Sequence, residues 1–196
     1  MSASKISVIG GGSFGTVIAN ITADTGHDVW FWMRSKSQAA DINKHHENSQ
    51  YLPGYKLNES VFATEDMVEA VSGSEVIFVA VPSSSFRQVV KEVVKHASAD
   101  AILVSTTKGI EPGTFLLMSQ VLKEEAPNAR IAVLSGPNLA KEIASKQLTG
   151  TVVASSDETV RDLVKNILKS EFFKVYANDD MFGVELGGSL KNIYAI

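Results

Sequence analysis

A glycine-rich hexamer near the N-terminus has the spacing of a phosphate-binding turn. Gly10-Gly11-Gly12-Ser13-Phe14-Gly15 matches G-x-G-x-x-G. In that pattern the first glycine permits a tight turn, the second lets the backbone approach a pyrophosphate, and the third lets a helix pack closely. The hexamer follows an apolar run and precedes a helical pattern, so it favours dinucleotide binding over an ordinary glycine-rich turn.

The residue after the second predicted strand bears on the choice between NAD and NADP. In NAD-binding chains an acidic residue about twenty positions beyond the glycines accepts the ribose 2′-hydroxyl. Here Arg34 stands nineteen residues after Gly15. The planar guanidinium group suits phosphate oxygens, so Arg34 favours a 2′-phosphate and hence NADP, with NAD as the second choice. The alternative is a solvated surface charge.

Two further segments follow predicted strands. Lys108, in Ser105-Thr106-Thr107-Lys108-Gly109-Ile110, could attract a phosphate or polarise a carbonyl, or could be an ordinary loop lysine. In Ser135-Gly136-Pro137-Asn138 the backbone N–H groups could face an anion or the nicotinamide. Alternatively, this segment simply begins a helix, with Asn138 as its cap.

A glycine-rich helix ends the chain. It is predicted over residues 181–196, with Asp179-Asp180 as cap, and it contains three glycines. Each glycine costs about 1 kcal/mol relative to alanine, so close approach to a ligand or another helix is expected in return. Lys191 lies i+3 from Gly188 and i+4 from Gly187. A buried lysine has a lowered pKa and can exchange protons, so Lys191 is either catalytic or a lysine that snorkels to solvent.

Other reactive residue types carry less information. His45 and His46 are neighbours on a predicted helix and therefore point about 100° apart, and no metal is assigned. Ser83-Ser84-Ser85 lacks the G-x-S-x-G setting of a hydrolase nucleophile and is interpreted as a helix start near the cofactor.

Strands and helices alternate along the chain, which predicts an α/β fold of the Rossmann type: a doubly wound, mostly parallel sheet with helices on both faces. The predicted strands cover residues 6–9, 28–33, 75–81, 101–106, 130–134, 151–154 and 172–176. The predicted helices cover residues 16–25, 37–49, 86–96, 114–125, 138–144, 158–169 and 181–196. We expect an NADP-binding domain over residues 1–178 and the first helix of a second, helical domain over residues 179–196.

Composition restricts the partners. The 196 residues include 18 basic and 22 acidic side chains, a net charge of −4, so no overall positive field would hold a nucleic acid or an anionic membrane. Cysteine is absent, which excludes disulfides and thiol nucleophiles and agrees with a reducing compartment. No apolar run approaches the roughly 18 to 20 residues of a membrane-spanning helix, and the N-terminus lacks a signal pattern. The expectation is a cytoplasmic protein that binds a small-molecule substrate.

Taken together, the motifs resemble the bacterial-type NAD(P)-dependent glycerol-3-phosphate dehydrogenase family from Ile6 to Ile196. They occur in the family's order: the glycine hexamer with Thr16, Asn48-x-x-Tyr51-Leu52-Pro53-Gly54, Val81-Pro82-Ser83, Thr107-Lys108-Gly109-Ile110, Ser135-Gly136-Pro137, and Val184-Glu185-Leu186-Gly187-Gly188-Ser189-Leu190-Lys191-Asn192. The combination is far more specific than any single motif.

The resemblance implies a role for each matching residue. NADPH would be contacted by Ser13, Phe14, Arg34, Lys108 and Ala140, beside the pattern glycines Gly10, Gly12 and Gly15. The substrate would be contacted by Lys108, Gly136, Asn138 and Lys191, with Lys191 as proton donor and acceptor. Family members usually carry serine or threonine where this chain has Asn138, but an amide can also donate and accept.

The implied reaction is reversible reduction of dihydroxyacetone phosphate to sn-glycerol 3-phosphate, which serves phospholipid synthesis. Family members carry a further helical domain with more of the substrate site, so this shortened chain is expected to bind NADP(H) with little turnover. A homodimer of the full-length form is left open. Two alternatives remain: another β-hydroxyacid or ketopantoate-type reductase, and a module that senses dinucleotide without catalysis.

Overall fold

The computed structural model describes residues 4–190, which form eight strands and eight helices in near-regular alternation. The strands are β1 (Lys5–Ile9), β2 (Asp28–Trp32), β3 (Val61–Thr64), β4 (Val76–Val79), β5 (Ile102–Ser105), β6 (Arg130–Ser135), β7 (Thr149–Ala154) and β8 (Phe173–Asn178). The helices are α1 (Ser13–Asp24), α2 (Lys36–His45), α3 (Met67–Val71), α4 (Ser83–His96), α5 (Met118–Glu125), α6 (Ala140–Ala144), α7 (Glu158–Leu168) and α8 (Met181–Leu190).

The strands form one sheet in the order β3-β2-β1-β4-β5-β6-β7-β8. Every neighbouring pair is parallel except β6 and β7, which are antiparallel. The predicted α/β fold with a mostly parallel, doubly wound sheet is confirmed. The chain leaves β1 in one direction to form β2 and β3 and in the other to form β4 to β8, so a crevice opens beyond the carboxyl ends of β1 and β4.

Two apolar layers bury the two faces of the sheet. Strand β4 shows the division clearly: Val76 and Phe78 join the cluster that also contains α1 and α7, whereas Ile77 and Val79 join the cluster that contains α3, α4 and α5. Because successive side chains of a strand point to opposite faces, a strand covered on both sides must be apolar throughout. Burial on both faces explains the continuous apolar run in the sequence. It also holds in place the strand ends that face the crevice.

Sequence reasoning missed β3 and α3. They contain four and five residues, and β3 is an edge strand of mixed burial, without the continuous apolar run that marks the equally short β4. Helix α3 is instead defined by its cap, because the Asp66 carboxylate accepts hydrogen bonds from the backbone N–H groups of Val68 and Glu69. The predicted helix over residues 37–49 ends at His45, where His46 adopts a left-handed conformation with φ of 47°.

The start of the fourth predicted helix at Thr114 is wrong, because the corresponding helix α5 begins at Met118. Residues 110–117 form a tight turn instead, in which Ile110 and Leu117 make an antiparallel bridge. Phe115 within it has a φ of 61°, which is incompatible with a right-handed helix. The turn therefore separates the loop after β5 from α5 itself.

Candidate cofactor and substrate site

The glycine turn after β1 has the geometry that its spacing predicts. Gly10 has a φ of +127°, and a Cβ atom there would lie 2.3 Å from the carbonyl oxygen of Ala80. A Cβ atom on Gly15 would lie 2.0 Å from the carbonyl oxygen of Gly10, so only glycine lets α1 pack this closely. A Cβ atom on Gly12 would meet nothing within 4 Å, which leaves that side of the turn open.

Two amide side chains that sequence reasoning did not assign hold this turn in place. The Gly11 carbonyl accepts hydrogen bonds from Gln38 Nε2 at 2.8 Å and from Asn48 Nδ2 at 3.0 Å. Asn48 is buried and its Nδ2 also lies 2.8 Å from Thr16 Oγ1 in α1. The only signal in the sequence was the position of Asn48 at the head of the motif that ends in Gly54. The turn is therefore fixed by residues more than 25 positions away.

A second contact joins the loop of residues 48–54 to the start of α1. Ser13 Oγ donates a hydrogen bond to the carbonyl oxygen of Tyr51 at 2.8 Å. This contact places the first residue of α1 beside the loop. The predicted turn at Tyr51-Leu52-Pro53-Gly54 thus forms one wall of the site.

A cleft of ≈ 700 Å³ extends from the glycine turn towards the carboxyl end of β2. It is lined by Gly10 to Gly12, Arg34, Ser35, Gln38 and the segment Ala80-Val81-Pro82, together with residues from α4. Arg34 is exposed, and within residues 4–190 it forms no hydrogen bond or ion pair. Its guanidinium group is therefore available to a ligand in this cleft.

A second cleft of ≈ 340 Å³ lies on the other side of the 80–82 segment, beyond β5 and β6. Phe14, Lys108, Asn138 and Ala140 line it. Lys108 Nζ donates a hydrogen bond to the carbonyl oxygen of Gly136 at 2.8 Å and lies 6.0 Å from the centroid of the Phe14 ring. The structure thus brings these five predicted residues together, while Arg34 stands at the far end of the larger cleft.

The loop that carries Lys108 is attached to the neighbouring strand by two hydroxyl groups. Thr106 Oγ1 donates to the carbonyl oxygen of Val79 at 3.1 Å, and Thr107 Oγ1 donates to that of Val81 at 2.7 Å. These bonds fix the Lys108 loop against the segment that lines both clefts. The hydroxyl groups follow directly after an apolar strand, which is the signal that could have identified them.

Asn138 does not cap α6, contrary to one of the two sequence-based interpretations. The N-cap position is Leu139, and Asn138 is buried with Nδ2 donating to Thr151 Oγ1 at 2.9 Å. Thr151 Oγ1 in turn donates to the carbonyl oxygen of Ser135 at 3.1 Å, which fixes the orientation of the amide. Asn138 Oδ1 has no hydrogen-bond partner within residues 4–190. A buried acceptor of this kind is costly unless a ligand satisfies it.

Helix α8 begins as predicted at Met181 and packs against β6. The Asp180 carboxylate accepts a hydrogen bond from the backbone N–H of Gly183 at 2.8 Å, which confirms the predicted cap. A Cβ atom on Gly188 would lie 2.0 Å from Ser135 Oγ, so this glycine does permit close approach. A Cβ on Gly187 would meet nothing within 4 Å. Lys191, the predicted catalytic residue, lies outside the described residues.

Two further observations concern ligands and membranes. Within residues 4–190, no group of three histidine, aspartate or glutamate side chains is placed to hold a metal ion. His45 instead lies 3.7 Å from the carboxylate of Asp41. In the same part of the chain, no helix has the length and apolar character needed to cross a bilayer.

The fold and the crevice define an α/β domain of the Rossmann nucleotide-binding class. More specifically, the chain belongs to the family described as NAD-dependent glycerol-3-phosphate dehydrogenase N-terminus, whose model matches residues 5–161.

Individual relatives agree with this family. The chain is 52% identical over 192 residues to glycerol-3-phosphate dehydrogenase (NAD(P)+) of Teredinibacter turnerae, covering 98% of this chain and 56% of the relative. It is 50% identical to the protein of the same name from Alcanivorax borkumensis, covering 96% and 55%. The crystal structure of glycerol-3-phosphate dehydrogenase from Coxiella burnetii superposes with a TM-score of 0.93 at 33% identity, covering 98% of this chain and 59% of that one. The chain thus spans about half the length of these relatives.

Proposed function

We propose that this chain is the NAD(P)(H)-binding part of a glycerol-3-phosphate dehydrogenase, which reversibly reduces dihydroxyacetone phosphate to sn-glycerol 3-phosphate for phospholipid synthesis. One observation carries the proposal: the cleft lined by Arg34 and the cleft lined by Lys108 meet at the shared segment 80–82. An extended dinucleotide can lie along such a crevice with its ends on different strands.

The glycine turn supports the assignment of the pyrophosphate. The open space at Gly12 lets phosphate oxygens approach the backbone N–H groups at the start of α1, where the helix dipole favours an anion. Gly10 and Gly15 shape the turn, and Ser13 and Phe14 stand in its first helical residues. We therefore assign these five residues to the cofactor.

The two ends of the crevice support the direction of the cofactor. Arg34 is exposed and forms no ion pair within residues 4–190, which supports binding of the 2′-phosphate of NADP, while NAD would leave Arg34 without that partner. The opposite end would place the nicotinamide near Lys108 and Ala140. The proposed cofactor is thus NADP, with NAD as a weaker ligand.

The smaller cleft is the proposed substrate site. Lys108 contributes positive charge near the Gly136 carbonyl, which suits an oxygen that becomes negative during reduction. Asn138 lines this cleft beside Lys108, and its amide can donate and accept hydrogen bonds, which supports contact with a substrate hydroxyl group. Lys108, Gly136 and Asn138 would contact the substrate together with Lys191.

The chemistry divides between cofactor and protein. When bound, the nicotinamide supplies a hydride for the substrate carbonyl carbon. Lys191 is proposed to donate the proton that the developing alkoxide requires and to accept it in the reverse direction. Lys108 would stabilise the negative charge on the same oxygen.

The same proposal extends to organisation. We assign residues 1–178 to the cofactor domain and residues 179–196 to the beginning of a substrate domain. This division is supported by the end of β8 at Asn178 and the start of α8 at Met181. The cysteine-free composition supports a cytoplasmic location. For the full-length form we propose a homodimer, supported by the exposed Tyr176 on the edge strand β8. Light scattering that gives a monomer would contradict it.

Calorimetry on the 196-residue chain tests the cofactor assignment. We expect NADPH to bind more tightly than NADH. Arg34→Ala should remove that preference, whereas Lys44→Ala, which removes another exposed cation on α2, should preserve it. Equal affinities for the two nucleotides in the unaltered chain, or no binding heat at all, would refute the assignment.

An activity assay with the full-length form tests the reaction. We expect NADPH-dependent reduction of dihydroxyacetone phosphate, which Lys191→Ala should abolish, and little turnover by the 196-residue chain alone. Preference for a β-hydroxyacid precursor or ketopantoate would support the alternative reductase. A dinucleotide sensor would retain its function after Lys191→Ala, because a sensor needs no proton donor.

A further inference from the structure

One face of α8 contacts three separate segments of the Rossmann domain. Glu185, Gly188 and Ser189 are related by i, i+3 and i+4, so they lie on the same side of the helix. Each contacts a different segment: the start of α5, the end of β6 and the loop after β5. We call these three residues the docking face of α8.

Glu185 makes the most demanding of these contacts. Its side chain is only 4% exposed, and its carboxylate oxygens accept hydrogen bonds from the backbone N–H of Ser119 at 3.0 Å and from Ser119 Oγ at 2.5 Å. Ser119 is in the first turn of α5, where N–H groups have no partner within their own helix. The carboxylate therefore satisfies the N-terminus of α5 from a residue 66 positions away.

The other two residues attach α8 to the segments that carry proposed substrate contacts. Gly188 lets α8 approach Ser135, the neighbour of Gly136. Ser189 Oγ accepts a hydrogen bond from the backbone N–H of Gly109, the neighbour of Lys108, at 3.1 Å. The docking face thus contacts both the Lys108 loop and the turn after β6.

A buried carboxylate is a costly way to attach a helix. Among residues 4–190, no lysine or arginine forms an ion pair with Glu185. Burial raises the pKa of the Glu185 carboxyl, with the Ser119 hydrogen bonds opposing the shift. An apolar side chain at this position could be buried without the cost of desolvating a charge. It would make no directional hydrogen bonds, however, and could not fix the rotation of the helix. The choice of glutamate thus favours orientation over stability.

We propose that Glu185 is a positioning residue of the reductase site, which fixes the rotation of α8 against the Lys108 loop and the Ser135-Gly136 turn through its two bonds to Ser119. The inference rests on the proposed function. It assigns Glu185 no contact with substrate or cofactor. Its effect reaches the reaction only through the placement of α8 and of the neighbouring loop.

Kinetics of the full-length form test the effect on the reaction. In Glu185→Ala we expect kcat to fall by about 100-fold, as for other displacements of about 1 Å at a reacting site. The Kd for NADPH should change by less than about twofold, because the glycine turn and Arg34 are unaffected. In Glu185→Gln the amide oxygen can accept from the Ser119 N–H and the amide NH2 group can donate to Ser119 Oγ, so this variant should restore most of kcat. Glu171→Gln, at an exposed glutamate, is the matched control.

Hydrogen exchange tests the geometry independently of activity. The amide of Gly109 should exchange about tenfold faster in Glu185→Ala and in Ser119→Ala. Its hydrogen-bond acceptor is Ser189 Oγ, and in these variants α8 no longer holds that oxygen in place. The amide of Ile102, bonded to the Glu75 carbonyl in the core of the sheet, should exchange at its original rate. A merely structural role would accelerate both amides alike and leave kcat per folded molecule unchanged, which would overturn the proposal.

The two measurements separate this inference from the proposed function. If the unaltered protein fails to reduce dihydroxyacetone phosphate, the proposed function is wrong, and the exchange of Gly109 still decides whether Glu185 positions the loop. If the unaltered protein is active and Glu185→Ala retains its kcat, the positioning role is wrong. Should Glu185→Ala not fold, Ser119→Ala and Glu185→Gln provide the same comparison with smaller changes.

Discussion

Two substitutions in the glycine turn should have opposite consequences, although each adds one methyl group. In Gly12→Ala the new Cβ atom meets nothing within 4 Å, so the folded protein can accept it. In Gly15→Ala the new Cβ atom would lie 2.0 Å from the carbonyl oxygen of Gly10. That oxygen is part of the backbone and cannot rotate away, so α1 and the turn must separate.

The magnitudes follow from these distances. Overpacking typically costs about 1–3 kcal/mol, and the fixed backbone oxygen places Gly15→Ala at roughly 3 kcal/mol. For a domain of this size that lowers Tm by about 6–12 °C. Gly12→Ala should change the free energy of unfolding by less than about 1 kcal/mol. Its methyl group instead occupies the proposed phosphate position, and losing one charge-assisted hydrogen bond costs about 1.5–3 kcal/mol, or roughly 10- to 150-fold in Kd.

Thermal unfolding without ligand and calorimetric titration with NADPH measure the two effects separately. We expect Gly12→Ala to keep its Tm and lose affinity, and Gly15→Ala to lose Tm. If Gly12→Ala binds NADPH as tightly as the unaltered chain, the pyrophosphate does not rest on this turn. If Gly15→Ala unfolds at the original temperature, the close packing of α1 on Gly10 has been misjudged.

Three further predictions concern single side chains. Arg34→Ala should weaken NADPH binding about tenfold and leave NADH binding unchanged; calorimetry that shows equal losses for both would remove Arg34 from the 2′-phosphate. Asn48→Ala removes the donors to Gly11 and Thr16, so the free energy of unfolding should fall by about 2–3 kcal/mol in urea titrations. An unchanged urea midpoint would show that Gln38 alone holds the turn. Burial raises the pKa of Glu185 above its ordinary 4.5, so the charged form is disfavoured in the folded state. The unaltered chain should therefore lose stability relative to Glu185→Gln as the pH rises through that raised pKa. A stability difference that stays constant between about pH 4 and 8 would contradict it.

Local patterns were sufficient to predict the parts of the site that depend on neighbouring residues. The spacing of Gly10, Gly12 and Gly15 predicted the tight turn, the open approach and the close helix, since each requirement acts within one strand–turn–helix unit. The positions of Arg34 and Lys108 directly after strands predicted that both would face the carboxyl edge of the sheet. Parallel strands share that edge, so their order was not needed to place these residues.

The sequence by itself therefore determined the fold class, the family and the residues that face the crevice, because hydrophobic periodicity and glycine spacing report conformations set by adjacent residues. Only the tertiary structure decided what holds those residues in place. Asn48 meets Gly11 and Glu185 meets Ser119 across 37 and 66 positions, and no local pattern specifies a hydrogen bond between segments whose relative position depends on packing. The orientation of the Asn138 amide was decided in the same way. Thr151 lies on β7, which runs antiparallel to β6, and its Oγ1 accepts the hydrogen bond that turns the amide away from α6.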